Sequence, residues 1–414
     1  MTSLKGNLMF GQSGGPTAVI NSSAAGVFEE ALKHPDVIGK VYGAAHGIVG
    51  VMNEDFYDIG QEDANELKLM QGTPSSLLGS VRYKLSDPDK DDSDYKKLLD
   101  IFRKYDIRYF LYNGGNDSMD TCDKVSKYLD KVGYDCRVVG VPKTIDNDLV
   151  GTDHCPGFGS AAKFVSTMTM EVFLDSRVYY DGMIVVIEIM GRHAGWLTAS
   201  AALASCKGYG PDLIYLPESD FDPERMMDDV STTLQKNKNV MIAVSEGVKT
   251  KDGLFIPELV GEVKTDAFGH KQLGGTAMVL SEYLAREFGI KTRAIELSLL
   301  QRCAAHLASG VDVEEAYQAG AESVKAAMAG ASDVMLGFRR KDGPYAIDMV
   351  TVALEEVKNF EKKVPREWIN EAGNGLKQEY IDYAMPLIQG ASKQAVEDGL
   401  PRFARLKKVQ AGRK

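Results

Sequence analysis

Residues 142–148, Pro-Lys-Thr-Ile-Asp-Asn-Asp, place two carboxylates, an amine and a hydroxyl group in one short loop. Such groups can move protons and bind anions. Residues 138–141, which precede them, are an apolar run typical of a buried parallel strand, and Pro142 should end it because proline cannot donate to the sheet ladder. Ligands of open α/β sheets bind at the carboxyl ends of strands, so the loop is a candidate site. A turn rich in Asp and Asn is also ordinary, and taken alone the segment favours that simpler interpretation.

Two further segments follow a common pattern of strand, paired glycines and helix. Residues 109–112 predict a strand, and Gly-Gly-Asn-Asp-Ser follows at 114–118. Near the start of the chain, residues 8–10 predict a strand that leads into Ser-Gly-Gly-Pro-Thr at 13–17 and a helix over about 21–32. Paired glycines let the backbone approach a ligand, and exposed amides at a helix N-terminus bind phosphate groups. Together with the acidic loop at 142–148, these make three strand ends with acidic or phosphate-binding loops, which argues against coincidence.

The bulk composition is that of a soluble globular protein, with 44% hydrophobic and 26% charged residues. A length of 414 residues exceeds one ordinary core, so two domains are expected. The net charge of −11, without a basic block, argues against a nucleic-acid surface. Five cysteines without CxxC spacing are typical of reduced thiols. Without a signal peptide or a long apolar run, we expect no membrane contact and a cytoplasmic location.

Strand-like and helix-like segments alternate through most of the chain, which predicts an α/β protein built on parallel sheets. After residue 363 this pattern weakens, and the chain ends in a basic tail that either is disordered or packs at an interface. Further strands are predicted at 184–189, 212–216, 240–244 and 334–338, and helices at 311–329, near 349–362 and over about 377–388.

Three further segments contain single residues that could contact a ligand, and a fourth carries a weak dinucleotide pattern. Arg82 ends a loop of small residues and could grip phosphate, although a plain surface arginine is the simpler interpretation. Met-Gly-Arg at 190–192 follows a buried strand and could hold an anion. Glu246 also follows a strand and could accept hydrogen bonds from sugar hydroxyls or serve as a cap. Residues 157–162 fit the dinucleotide pattern GxGxxA only weakly, because no strand directly precedes them.

A strand is also predicted over 292–302, with an arginine near each end. If the strand is straight, Arg293 and Arg302 lie about 30 Å apart and cannot grip one phosphate within a single subunit. A symmetric oligomer would resolve this by lending one arginine to a neighbouring site.

Taken together, these segments resemble the phosphofructokinase family, and specifically its pyrophosphate-dependent members. The resemblance covers about residues 5–340, and its motifs occur in the family's order. It implies two Rossmann-like parallel-sheet domains with a C-terminal helical extension. The motifs lie at 13–17, 114–118, 142–148, 190–192, 245–247 and 301–302. The implied domains are 1–157 plus about 301–362 for the donor, 158–300 for the sugar phosphate, and 363–414 for the extension and basic tail.

The resemblance implies phosphoryl transfer to the 1-hydroxyl of fructose 6-phosphate, with Asp146 as the general base. It also implies Mg²⁺ as the cofactor, and a homodimer or homotetramer in which active sites are shared. The implied residues are the catalytic Asp146, Thr144, Asp148 and Arg192; the donor-binding Gly14, Gly15, Arg82, Asp117 and Lys143; the sugar-binding Thr144, Ile145, Asp146, Met190, Gly191, Arg192, Glu246, Arg302 and, from the adjacent subunit, Arg293; and the metal-binding Asn116 and Asp148.

Two positions bear on the donor. Asp117 stands where ATP-using relatives carry glycine, and its carboxylate would clash with a nucleotide and repel the α-phosphate. Lys143 replaces another glycine, and its ammonium can bind pyrophosphate directly. Because the chain also lacks the Walker A pattern GxxxxGK[ST], pyrophosphate is the expected donor.

Three departures from the family's pattern leave alternatives open. Asn116 replaces an aspartate that helps hold Mg²⁺, Met183 replaces a second cross-subunit arginine, and Leu299 replaces a sugar-site histidine. The acceptor could therefore be sedoheptulose 7-phosphate. An ATP-dependent phosphofructokinase is a separate alternative, which Asp117 and the missing Walker A pattern disfavour. A dinucleotide-dependent dehydrogenase and a catalytically silent sugar-phosphate binder are the remaining alternatives. The intact loop 144–148 argues against the binder, because binding requires no base.

Overall fold

The computed structural model describes residues 4–259, 274–358, 360–392 and 394–412 of the chain. Its strands are β1 (Gly6–Gln12), β2 (Ile38–Ala44), β3 (Phe56–Asp58), β4 (Ile107–Gly114), β5 (Arg137–Pro142), β6 (Ile184–Ile189), β7 (Leu213–Tyr215), β8 (Val240–Ser245), β9 (Thr292–Glu296), β10 (Val334–Arg340), β11 (Ile347–Ala353), β12 (Val396–Glu397) and β13 (Leu400–Pro401). Its α-helices are α1 (Ile20–Leu32), α2 (Gly47–Met52), α3 (Ala64–Leu69), α4 (Ser93–Lys104), α5 (Asn116–Lys131), α6 (Phe158–Ser176), α7 (Trp196–Ala199), α8 (Ala202–Ser205), α9 (Pro223–Lys236), α10 (Thr276–Phe288), α11 (Gly310–Met328), α12 (Leu354–Val357) and α13 (Gln378–Ala384).

The large sheet has seven strands in the order β11-β10-β5-β4-β1-β2-β3. Its five central strands are parallel, and β3 and β11 pair antiparallel at the two edges. Successive side chains of a strand face opposite sides of the sheet. In β1, Phe10 therefore packs with Phe28 of α1 and Val324 of α11, whereas Met9 packs on the other face with Phe102 of α4 and Val125 of α5. The sheet thus lies between two helical layers.

The small sheet has four parallel strands in the order β7-β8-β6-β9. Its strand β6 is buried along its whole length, because helices cover both faces. Val185 and Ile187 pack on the face that α6 covers, and Ile184 and Val186 pack on the face of α9 and α10. Strand β9 is an edge of this sheet, so one of its sides has no strand partner among the described residues.

The chain returns to the large sheet after building the small one, because α11 leads into β10, which pairs parallel with β5. The helix predicted near 349–362 is wrong. Residues 347–353 form β11, which pairs antiparallel with β10 over its full length, and only the short α12 follows. Valine, isoleucine and threonine dominate this run, and they suit a half-buried edge strand.

The straight strand predicted over 292–302 is also wrong. Strand β9 ends at Glu296, and a 3-10 helix, Ser298–Arg302, turns the chain away from the strand direction. Ser298 has a left-handed backbone conformation (φ 42°), which makes the bend. The distance argument from an extended chain therefore does not apply to Arg293 and Arg302.

The C-terminal extension contains one α-helix, α13, and its other described residues form 3-10 turns, a β12–β13 hairpin and extended chain. Prolines and glycines, such as Pro386 and Gly390, prevent a longer helix. The tail packs against the large sheet: Asp58 N donates to Val409 O at 2.9 Å, and Ala411 N donates to Phe56 O at 2.9 Å. It thereby covers the exposed edge of β3. None of the helices in the described ranges combines the length and apolarity needed to span a membrane.

Candidate active site

A cleft lies between the two sheets, where their carboxyl ends meet. Its walls are the loops that follow β1, β4, β5, β6 and β8, as expected for ligand sites of parallel sheets. Most of the predicted site residues are brought together here, although they come from segments almost 290 positions apart. Those that line the cleft are Gly14, Gly15, Arg82, Asn116, Asp117, Lys143, Thr144, Ile145, Asp146, Asp148, Met190, Arg192, Glu246 and Arg302.

Two predicted residues do not line the cleft. Gly191 lies just behind its wall, where its amide donates to Glu246 Oε1 at 3.4 Å and its carbonyl accepts from Ser245 Oγ at 2.6 Å. Gly191 therefore shapes the wall through its backbone. Arg293 is exposed on the edge strand β9, outside the cleft of its own chain.

Two of the departures from the family's pattern can also be placed. Met183 is buried in the core beside α6, with 4% of its surface exposed, and it cannot extend to another subunit. Leu299 is 56% exposed on the 3-10 helix that follows β9. Neither side chain offers a polar group that could do the work of the arginine or histidine found at these positions in the family.

The loop after β5 is held in a defined turn by its own polar groups. Asp146 N donates to Thr144 Oγ1 at 3.1 Å, and Thr144 N donates to Pro156 O at 3.1 Å. Asn147 has a left-handed backbone (φ 55°), which asparagine tolerates better than most residues. The turn places Asp146 and Asp148 on the same cleft wall, on either side of the buried Asn147.

The carboxylates of this wall are poised for proton transfer. Desolvation raises the pKa of Asp146 to about 7, and the negative charges of Asp148 and Glu246 contribute to the rise. Desolvation likewise raises the pKa of Asp148 and of Glu246. A general base works best when its pKa lies near the working pH, so Asp146 is suited to accept a proton at neutral pH.

Three cations, Lys143, Arg82 and Arg302, line the same cleft. Lys143 is 3% exposed, its Nζ donates to Gly15 O at 2.6 Å, and desolvation lowers its pKa to about 8. Desolvation also lowers the pKa of Arg302, and the nearby charge of Arg82 adds to that effect. Because the charges of Arg302 and Arg82 also lower the pKa of Lys143, a bound polyanion would relieve the repulsion among these cations.

The glycine loop after β1 allows these cations to approach the backbone. Gly14 has φ +75°, a conformation that favours glycine, and a Cβ at Gly15 would lie 2.9 Å from Nη1 of Arg302. Gly14 N donates to Val81 O at 3.2 Å, and Ser80 Oγ donates to Gly14 O at 2.6 Å. The loop is thereby tied to the segment that carries Arg82.

Asn116 and Asp148 offer oxygen ligands of the kind that Mg²⁺ prefers. Asn116 Nδ2 donates to Asp148 Oδ2 at 3.0 Å, and Asn116 Oδ1 is buried without a hydrogen-bond partner in the described part of the chain. No group of three His, Cys, Asp or Glu side chains suited to a metal ion occurs in the described ranges. The residues therefore fit Mg²⁺ if the ion takes its remaining ligands from phosphate oxygens and water, as it usually does.

The cleft also contains residues that the sequence interpretation missed. His193 Nδ1 lies 2.9 Å from Glu361 Oε1, and both line the cleft. Desolvation raises the pKa of Asp148, and the negative charge of Glu361 raises it further, so the two carboxylates are close. Glu361 belongs to no motif, and no local signal could have found it. The other missed residues are Ser13, Pro16, Val81, Tyr83, Gly115, Ser118 and Ala194, most of them within or beside the recognised motifs.

The weak dinucleotide pattern at 157–162 does not form a ligand site. The amides of Gly157 and Ser160 donate to the two carboxylate oxygens of Asp312, at 2.9 and 2.8 Å, and Asp312 is buried. The N-terminus of α6 is thus capped by a carboxylate of the protein itself. A dinucleotide pyrophosphate cannot occupy the same amides.

Comparison with known proteins extends these observations. A family model described as phosphofructokinase matches residues 7–296. The chain is 44% identical over 412 residues to the pyrophosphate–fructose 6-phosphate 1-phosphotransferase of Halomonas elongata, which covers 99% of this chain and 98% of that relative. It is 42% identical to the protein of the same name from Methylococcus capsulatus, covering 99% and 97%.

A solved structure is similar over the same extent. The pyrophosphate-dependent phosphofructokinase from Marinobacter aquaeolei matches with a TM-score of 0.89 at 39% sequence identity, covering 99% of this chain and 98% of that chain. The similarity therefore includes the C-terminal extension, which lies beyond the residues that the family model matches.

Proposed function

The chain belongs to the phosphofructokinase family, and we propose that it transfers a phosphoryl group from pyrophosphate to the 1-hydroxyl of fructose 6-phosphate. The products are fructose 1,6-bisphosphate and inorganic phosphate. One observation carries this proposal: a carboxylate with a pKa of about 7, Asp146, shares a cleft with the anion-binding Lys143 and Arg302. A base and a polyanion site side by side are what phosphoryl transfer to an alcohol requires.

The reaction needs few groups, and each has a counterpart in the cleft. Asp146 accepts the proton of the sugar hydroxyl as that oxygen bonds to the terminal phosphorus of pyrophosphate. The bond from that phosphorus to the bridging oxygen breaks, and inorganic phosphate leaves with the electron pair. Lys143 and Arg82 hold the donor, whereas Arg192 and Arg302, which line the same cleft, bind the sugar phosphate. Positioning and charge stabilisation supply most of the rate in such reactions.

We propose Mg²⁺ as the cofactor, with Asn116 and Asp148 as its protein ligands. When bound, the ion neutralises charge on the donor oxygens. The carboxylates of the cleft, which outnumber its arginine and lysine side chains, provide the negative surroundings that favour a divalent cation. The amide of Asn116 also orients Asp148 through the 3.0 Å hydrogen bond.

Asp117 supports pyrophosphate as the donor. Its side chain stands in the first turn of α5, facing the same cleft as Lys143. The two terminal phosphates of a nucleotide would take the place of pyrophosphate. Its α-phosphate and ribose would extend past them, to where Asp117 stands. A carboxylate there repels the α-phosphate and occupies part of its space, whereas pyrophosphate ends before reaching it.

On the sugar side we propose that Arg293 serves the cleft of a neighbouring subunit. It lies on the exposed edge strand β9, outside its own cleft. This arrangement requires at least a homodimer, and a homotetramer with shared sites is equally compatible.

The decisive experiment supplies the purified protein with Mg²⁺ and each pairing of donor and acceptor. The donors are pyrophosphate and ATP, and the acceptors are fructose 6-phosphate and sedoheptulose 7-phosphate. We expect turnover with pyrophosphate and fructose 6-phosphate and none with ATP. Equal turnover with ATP would contradict the role of Asp117, and a preference for sedoheptulose 7-phosphate would replace the proposed acceptor.

A further inference from the structure

We infer that Tyr383, in the C-terminal extension, is a positioning residue that holds the loop carrying the catalytic base. The inference rests on the proposed function, because Asp146 and Asp148 flank the residue that Tyr383 contacts. Tyr383 touches neither donor nor acceptor, since it does not line the cleft. It also lies outside residues 7–296, which the family model matches.

The contact between Tyr383 and the loop is a buried pair of hydrogen bonds. Asn147 Nδ2 donates to Tyr383 Oη at 2.8 Å, and Tyr383 Oη donates to Asp153 O at 2.7 Å. On its other side, Asn147 Oδ1 accepts from Cys155 N at 2.9 Å. Asn147 has no exposed surface, and its side chain is therefore clamped from both ends.

The clamp matters because of the backbone of Asn147. Its left-handed conformation (φ 55°) is less favourable than the ordinary one and persists only when the surroundings fix it. This one residue separates the proposed base, Asp146, from the proposed metal ligand, Asp148. A change in its backbone would move both carboxylates, and small displacements of catalytic groups reduce turnover strongly.

The tyrosine ring is itself rigidly held. Its centroid lies 5.1 Å from that of Trp196 and 5.5 Å from that of Trp368. The guanidinium of Arg340 lies 4.8 Å above the ring, and Arg340 Nη1 donates to Tyr383 O at 2.9 Å. Burial raises the pKa of Tyr383 well above its ordinary value, so the hydroxyl stays protonated and can donate.

Other contacts anchor the extension without the Tyr383 hydroxyl. Ser309 Oγ donates to Leu387 O at 2.7 Å, and the fully buried Tyr380 donates through its Oη to Trp196 O at 2.6 Å. Removing one oxygen from Tyr383 should therefore leave the extension docked. Tyr380, in the same helix, provides a matched control because its hydroxyl also bonds a backbone carbonyl but does not contact the loop.

The test compares Tyr383→Phe with Tyr380→Phe. For Tyr383→Phe we expect kcat with pyrophosphate and fructose 6-phosphate to fall about tenfold, because a buried amide donor of Asn147 loses its acceptor. The KM values should stay within about twofold, since the substrate contacts are unchanged. Tyr380→Phe should keep kcat within about twofold of wild type. Equal losses in the two variants, or no loss in either, would overturn the inference.

A double-mutant cycle adds a second readout. Asn147→Gly keeps the left-handed conformation accessible but removes the clamped side chain. If Tyr383 acts through Asn147, the loss of kcat in the double variant should be well below the product of the two single losses. Independent, multiplicative losses would mean that Tyr383 acts by another route.

Hydrogen–deuterium exchange tests the clamp without any turnover. Peptides covering 143–155, which contain the amide of Cys155, should exchange faster in Tyr383→Phe than in wild type or Tyr380→Phe. If wild type lacks pyrophosphate-dependent turnover, the proposed function fails while this result still decides whether the clamp exists. If wild type is active and exchange is unchanged in Tyr383→Phe, only the positioning role fails.

Discussion

The two sides of the cleft differ in how many of their predicted site residues a single chain places in the cleft. On the large-sheet side, Lys143 is buried, and Asp146 and Asp148 are held in a turn fixed by backbone and side-chain hydrogen bonds. On the small-sheet side, Arg192 is half-buried, His193 is exposed, and Arg293 lies outside the cleft altogether.

The large-sheet side therefore carries the groups proposed to catalyse the reaction, and the small-sheet side carries groups proposed to bind the sugar phosphate. The proposed base, the proposed donor-binding residues and the candidate metal ligands all lie in one chain, and desolvation shifts the pKa values of Lys143, Asp146 and Asp148. On the acceptor side, our proposal takes Arg293 from a neighbouring subunit. Damage to the first side should therefore reduce kcat, and damage to the second should mainly raise KM.

The largest expected effect is on the large-sheet side. Asp146→Asn should lower kcat by about 10² to 10⁴ while leaving folding and sugar binding intact, because it removes the general base. Steady-state kinetics and a binding assay with fructose 6-phosphate would measure both quantities. Asp89→Asn, which alters an exposed carboxylate that does not line the cleft, is the control. Near-normal kcat in Asp146→Asn would remove Asp146 from the mechanism.

Arg293→Ala tests the small-sheet side. We expect KM for fructose 6-phosphate to rise about thirtyfold with little change in kcat, the value of a lost charged hydrogen bond of about 2 kcal/mol. Arg286→Ala, a highly exposed arginine on α10, should leave KM unchanged.

Mixing two defective chains identifies the subunit in which Arg293 acts. In a hybrid of Asp146→Asn and Arg293→Ala chains, one site combines an intact Asp146 with the neighbour's intact Arg293. That site should recover the low KM of wild type. If Arg293 acts within its own chain, no such site forms and the KM stays high.

Asp117→Gly asks whether the large-sheet side also selects the donor. Removing the carboxylate should raise ATP-dependent turnover roughly tenfold above the wild-type background, because a like-charge interaction and part of the steric block disappear. Asp117→Asn separates the two causes, since it keeps the volume and removes the charge. Unchanged exclusion of ATP in both variants would show that another element selects the donor.

The smallest expected effect is on the free energy of unfolding, and it involves His154, which follows the catalytic loop in the chain. His154 is buried between Asp153 (2.8 Å) and Glu315 (2.7 Å), with Arg340 and Tyr345 close by. Although desolvation opposes it, the hydrogen bonds that the His154 ring donates to these carboxylates raise the pKa of His154 above its ordinary value. The stabilisation is therefore complete below pH 6.5 and is lost as pH rises through the folded-state pKa.

Urea unfolding at several pH values would measure this linkage. The quantity to compare is the difference in the free energy of unfolding between wild type and His154→Gln. This difference should fall by about 1 kcal/mol between pH 6 and pH 9, because one charge-assisted hydrogen bond is lost. A difference that does not change with pH would mean that folding does not raise the pKa of His154.

Local patterns predicted most of the sheet that carries the chemistry. The apolar run before Pro142 forms β5, which ends at that proline, and the helices α1 and α11 occupy the predicted ranges to within a residue. The predictions failed at β11 and at the bend after Glu296. An edge strand can show an apolar pattern that also fits a helix, and a single left-handed serine has no strong sequence signal.

The sequence by itself determined the chemistry at the strand ends, because the glycines, carboxylates and cations of each motif lie within a few residues of one another. Only the tertiary structure decided which distant groups join them. Glu361 reaches the cleft, Asp312 closes the N-terminus of α6, and Tyr383 clamps Asn147 across 236 positions of the chain. Contacts of that separation leave no local periodicity to read, since they arise only when the core has packed.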